Sequence, residues 1–112
     1  MKVLSSIVLA AAGTLAFSSL AAHAGIDDTK AQALLKQGGC MTCHNIDKKS
    51  MGPSFKDVAQ KRKGEANAIA TMEKSVRGGS KGTYGAMPMP AVPAAKLGDA
   101  DLHDLVEWVL TK

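Results

Sequence analysis

The sequence predicts a small all-α domain, about four short helices gathered around one central motif. Apolar residues recur at helical spacing in four separate stretches. Glycines and prolines cluster between those stretches and punctuate them. No run of Val, Ile or aromatic residues reads as a strand. Between the first two helical stretches lies Cys40-Met41-Thr42-Cys43-His44.

The first helix follows Asp27, Asp28 and Thr29, which offer an N-cap and early negative charge. Ala31, Leu34 and Leu35 give it an apolar stripe, and Gly38-Gly39 stops it. Residues 45–54 read as a loop turning at Gly52-Pro53. Residues 55–62 form a short helix with Phe55, Val58 and Ala59 on one side. Residues 65–76 form a longer one, on which Ala66, Ile69, Ala70, Met72 and Val76 follow the period and Gly78-Gly79 marks the end. Residues 80–96 hold Gly82, Gly85, Pro88, Pro90 and Pro93, a density no helix or central strand survives. A long structureless loop in so small a domain usually serves a function. Gly98-Asp99 opens the last helix, with Asp99, Asp101 and Asp104 toward its start and Leu102, Leu105, Val106 and Val109 as its stripe. Trp108 is expected to pack on the first helix or on the edge of a cofactor.

The central motif names that cofactor class. Two cysteines three positions apart with a histidine directly after suit covalent attachment of haem c. Each of Cys40 and Cys43 would add across one vinyl group, and His44 would then bind iron as the proximal ligand. Three other readings compete. A thiol–disulfide redox pair needs a βαβ context. A structural zinc site needs four ligands, and only His103 could join after the leader is removed. A Cys40–Cys43 disulfide would close a very small loop and stabilise little. A metal-bound imidazole usually gives its free N–H to a carbonyl. The Pro53 carbonyl is the candidate, the alternative being that Gly52-Pro53 is only a turn.

Lys2, a largely apolar stretch over residues 3–20 and Ala22-His23-Ala24 have the form of a secretory leader with its cleavage site. Residues 1–24 are therefore expected to be a cleaved signal, and residues 25–112 a single domain in the periplasm. Loss of Lys2 lowers the formal charge from +4 to +3. Both cysteines sit in one motif, so no disulfide can link distant segments. Beyond the leader the aromatics are Phe55, Tyr84 and Trp108. A domain this small needs a staple, and a buried haem would supply the missing core. No basic cluster is interleaved with aromatics, which argues against nucleic acid. Lys61-Arg62-Lys63 reads as a solvated face. The lysines and Arg77 are expected to steer an acidic partner.

A six-coordinate iron needs a second axial ligand. His103 lies among helix positions and reads as a surface residue. Met41 and Met51 start on the His44 side, and Met72 is on a helix. Met87 and Met89 remain, in the proline-rich loop. Met89 is the choice, because Pro88 and Pro90 stiffen the backbone on both sides of it. Met87 is the rival, and would otherwise pack against the ring edge.

These residues together resemble a small bacterial class I cytochrome c of the c-551/c-552 type. The resemblance covers nearly all of residues 25–112. It rests on Gly39 to His44, on Gly52-Pro53, on Tyr84-Gly85-Ala86-Met87-Pro88-Met89-Pro90 and on Trp108-Val109-Leu110. It implies that Cys40 and Cys43 carry the haem and that His44 and Met89 bind its iron. It implies that Pro53 accepts from His44, and that the terminal helices cross. At Tyr84 the family commonly has a tryptophan that hydrogen-bonds a haem propionate, and a tyrosine can also donate there. Ala91-Val92-Pro93 follows where the family often places an asparagine near the sulfur.

The function so implied is a soluble periplasmic electron carrier in a respiratory chain, not an enzyme. Its donor would be a membrane cytochrome complex, and its acceptor a terminal oxidase or a nitrite reductase. No nucleic acid, no stable membrane insertion and a monomeric state are expected. The alternative is a ligand-binding or peroxidase-like haem module with a labile sixth ligand.

Overall fold

The computed structural model describes residues 25–112, and the leader expected over residues 1–24 lies outside the described residues. Four helices follow in order: α1 (Asp28–Gln37), α2 (Phe55–Arg62), α3 (Ala68–Gly78) and α4 (Asp99–Leu110). A single 3-10 turn over Cys40–Thr42 joins α1 to the loop before α2. The fold is all-α, and the described residues form no strand beyond one isolated bridge, Ser80 with Met89.

Helix α4 is the hub, packing against α1, α2 and α3. Its Leu102, Leu105, Val106, Trp108 and Val109 are buried with Leu34 and Leu35 of α1 and with Phe55 and Val58 of α2. Trp108 docks on the first helix, one of its two expected positions. Its Nε1–H donates to Asp28 Oδ1 at 2.8 Å, and Lys112 Nζ stands 4.0 Å over its ring. The two ends of the domain are thereby tied together.

Local sequence explains where each helix begins. Asp27 accepts from the Lys30 amide at 2.7 Å and caps α1. Ser54, almost fully buried, accepts from the Asp57 amide at 3.0 Å and caps α2. Gly39 takes φ 73°, a left-handed turn that carries the chain from α1 into Cys40. Helix α3 starts three residues later than its periodicity suggests, at Ala68 rather than Glu65. Gly64 turns the chain at φ 78°, and the Glu65 carboxylate is held by Arg62. Residues 65–67 therefore form a turn instead of a first helical turn.

Arg77 departs from its expected role at the surface. Its guanidinium donates inward to the carbonyls of Val92 and Leu97 and to Asp99. It fastens the long loop rather than steering a partner.

His103, on α4, bridges to α3. Its ring nitrogens lie 2.8 Å from Glu73 and 3.4 Å from Glu107. The hydrogen bond it donates to Glu73 raises its pKa above the usual histidine value, aided by the charges of Glu107, Glu73 and Asp104 and opposed by desolvation. A raised folded pKa contributes stability below the unfolded pKa, and that stability fades as pH rises through the folded value. The effect is modest because the group is exposed and screened. Thermal melts of wild type across pH 5–9 are expected to show a small fall on the alkaline side of the histidine range, absent in His103→Asn. Equal pH profiles for the two proteins would refute the bridge.

Candidate haem site

Cys40, Cys43 and His44 of the motif, the nearby Pro53, and Tyr84 and Met89 of the distant loop all line one cavity of about 500 Å³. Its walls are largely apolar and include Leu35, Phe55, Val58, Met72 and Leu97. Met87 also reaches it but is 63% exposed, whereas Met89 is half-buried. His103 is not among the lining residues. It also stands apart from the cysteine motif, which leaves a zinc site there short of its ligands.

The chain folds the attachment motif into a tight loop. The amides of Cys43 and His44 both donate to the Cys40 carbonyl, at 3.2 and 3.0 Å. The Gly52 amide donates to the Cys43 carbonyl at 2.8 Å, so the following loop doubles back beneath the motif. A Cβ on Gly52 would stand 2.9 Å from His44 Cε1, closer than side chains tolerate. Only glycine leaves room for the imidazole there.

The His44 ring is fixed from two directions. Its Nδ1 lies 2.8 Å from the Pro53 carbonyl. A carbonyl can only accept, so Nδ1 carries the proton and Nε2 is left as the metal-binding nitrogen. Phe55 stacks on the ring, with centroids 5.2 Å apart and planes 20° from parallel. Burial pushes the Cys40 thiol above its ordinary pKa, the opposite of the activation a redox cysteine needs.

Met89 is set by its backbone. Its amide donates to the Ser80 carbonyl at 2.8 Å, and its own carbonyl accepts from the Ser80 amide at 3.1 Å. The neighbouring Gly79 has φ 76°, and a Cβ there would meet the Met89 carbonyl oxygen at 2.7 Å. This close approach requires glycine. Residues 81–88, which include Met87, make no backbone hydrogen bond to the rest of the described protein.

The cavity fits a group that is apolar over its face and acidic at one edge. Tyr84 Oη and Arg62 Nε are both buried without a hydrogen-bond partner, and both residues line the cavity. Burial raises the Tyr84 pKa, and the nearby Arg62 opposes the rise. Two unpartnered donors suit a carboxylate such as a haem propionate. The two thiols and His44 Nε2 suit vinyl addition and iron. Sequence reasoning missed Arg62, reading it as part of a solvated basic run. The signal was its spacing, because Arg62 follows Phe55, Val58 and Ala59 at helical intervals on the same inward face. Its side chain is only 14% exposed.

The family model described as cytochrome c matches residues 29–112. Cytochrome c-551 of Pseudomonas aeruginosa is 40% identical over 112 residues, spanning all of this chain and 99% of that protein. Cytochrome c2 of Rubrivivax gelatinosus is 43% identical over 77 residues, 69% of this chain and 91% of its own. The crystal structure of Nitrosomonas europaea cytochrome c552 superposes with a TM-score of 0.65 at 36% identity, over 71% of this chain and 96% of that one. The chain therefore belongs to the cytochrome c family and carries haem c, covalently bound, with its iron.

Proposed function

We propose that the protein is a soluble periplasmic carrier of single electrons, with residues 1–24 removed as a signal and residues 25–112 as its one domain. The bound haem supplies the one-electron chemistry at iron. The chain's own residues hold and tune it. Cys40 and Cys43 would anchor it, His44 Nε2 and the Met89 sulfur would bind its iron, and Tyr84 with Arg62 would receive a propionate. The observation that carries the reading is Met89, pinned by two hydrogen bonds to Ser80 on the wall of the cavity that His44 also lines. A soft thioether favours the ferrous state and raises the potential. With His44 and Met89 both binding the iron, no position would be left for oxygen or peroxide, and the protein would act as a carrier and not an enzyme.

Among the described residues no helix is long and apolar enough to cross a membrane. Lys49 and Lys96 border the cavity, where they would steer an acidic redox partner. A membrane cytochrome complex is the class of donor, and a terminal oxidase or nitrite reductase the class of acceptor, with the protein acting as a monomer. Optical spectra of the protein matured in a host that attaches haem c test the reading. The ferric form is expected to be low-spin with a weak sulfur-to-iron charge-transfer band in the red, and to turn over no peroxide. High-spin ferric iron without that band would instead support the ligand-binding alternative.

A further inference from the structure

We propose that Arg77 is the positioning residue of the sixth ligand, its guanidinium latching the loop limb that carries Met89. The inference rests on Met89 being that ligand. Arg77 Nη1 donates to the Val92 carbonyl at 3.0 Å, and Nη2 donates to the Leu97 carbonyl at 2.7 Å. Nη2 and Nε both reach Asp99 Oδ1, at 2.7 and 3.2 Å. One planar fork at the end of α3 thus grips the limb at two points and the start of α4 at a third.

Besides the two Ser80–Met89 bonds and a bond from Gln37 Nε2 to the Lys96 carbonyl at 2.9 Å, the limb has few other fastenings. Val92 and Leu97 are its buried plugs, and the Val92 amide donates to the Val76 carbonyl at 2.8 Å. Ahead of Met89, residues 81–88 are without backbone tethers. A segment with so few bonds opens locally before the domain unfolds. Only Pro90 and Ala91 separate Met89 from Val92, and Pro90 stiffens that link, so release at Val92 is transmitted to Met89 rather than absorbed between them. Asp99 is 89% exposed, so its ion pair contributes little and the latch resides in the two carbonyl bonds.

The test uses ferric holoprotein and imidazole as the probe. At saturating imidazole the rate of displacement is limited by departure of Met89. Arg77→Ala is expected to raise that limiting rate by about tenfold or more, the scale of lost charge-assisted hydrogen bonds. Arg77→Lys is expected to fall between it and wild type, because one ammonium cannot span both carbonyls. Asp99→Ala should change the rate by less than about twofold, as befits an exposed ion pair. In a Met89→Ala background the Arg77 substitution should have no effect, since no ligand has to leave. A limiting rate unchanged by Arg77→Ala, or equal acceleration in the Met89→Ala background, overturns the proposal. If Arg77→Ala does not fold, an unchanged rate in Arg77→Lys overturns it as well. Retention of the native low-spin spectrum by Met89→Ala would overturn the ligand assignment and this inference with it. Loss of that spectrum with unaltered Arg77 kinetics overturns the inference alone.

Discussion

A chain with both Cys40 and Cys43 replaced by alanine is expected to lose its haem under denaturing wash and to lack cooperative unfolding. Each thiol forms one thioether, so either single variant should retain one bond and a haem that survives in the intact mass. The double variant has neither bond. What remains is a small domain whose centre is a largely apolar cavity of about 500 Å³. Apolar walls left facing water cost stability in proportion to their area, and a domain this small has little to spare. Partial collapse and water entry reduce the cost, but they do so by dismantling the walls. Phe55, Val58 and Met72 all line that cavity, so its walls and the helix core are the same side chains. Denaturant titration followed by far-ultraviolet circular dichroism reads the outcome. A sharp transition in the apo double variant would show that the helices form a sufficient core without the cofactor.

The parts of the site legible in the sequence were those whose geometry is local. Cys40, Cys43 and His44 are contiguous, so their spacing alone states the chemistry. The four helices were legible because each has its own apolar period and its own cap, as Asp27 and Ser54 show. The start of α3 was misplaced because Ala66 continues the apolar period, while the left-handed turn at Gly64 and the Arg62–Glu65 pair override it. Contacts between remote segments had no such signal. Arg77 sits at the end of a helix, and only the folded chain brings Val92, Leu97 and Asp99 to its guanidinium. Tyr84 was legible as a propionate donor by resemblance, but only the folded chain brings Arg62 of α2 to the same cavity wall. The Ser80–Met89 bridge was hidden by the glycines and prolines that rule out regular strands. A single pair of hydrogen bonds needs no strand around it.

That bridge favours Met89 over Met87 as the proposed ligand, and the substitution of each has a different expected result. Met89→Ala removes the sulfur from a backbone position that Ser80 and Gly79 hold in place. The cavity wall should survive, and the sixth position should open to water or an added ligand. Ferric iron is expected to become largely high-spin, cyanide or imidazole to bind without a ligand-release step, and the potential to fall because the soft sulfur no longer favours ferrous iron. Some reactivity toward peroxide should appear, since the variant gains the open site that the wild type lacks. Met87→Ala deletes a side chain that is 63% exposed, on a stretch with no backbone hydrogen bonds to the rest of the domain. It should keep the low-spin spectrum and lose little stability, within about 0.5 kcal/mol as for most surface substitutions. Electronic spectra and redox titration of the two variants, side by side, measure both expectations. Loss of the spectrum in Met87→Ala with its retention in Met89→Ala would transfer the ligand to Met87, and the Ser80 bridge would then be a loop fastening with no part in iron binding.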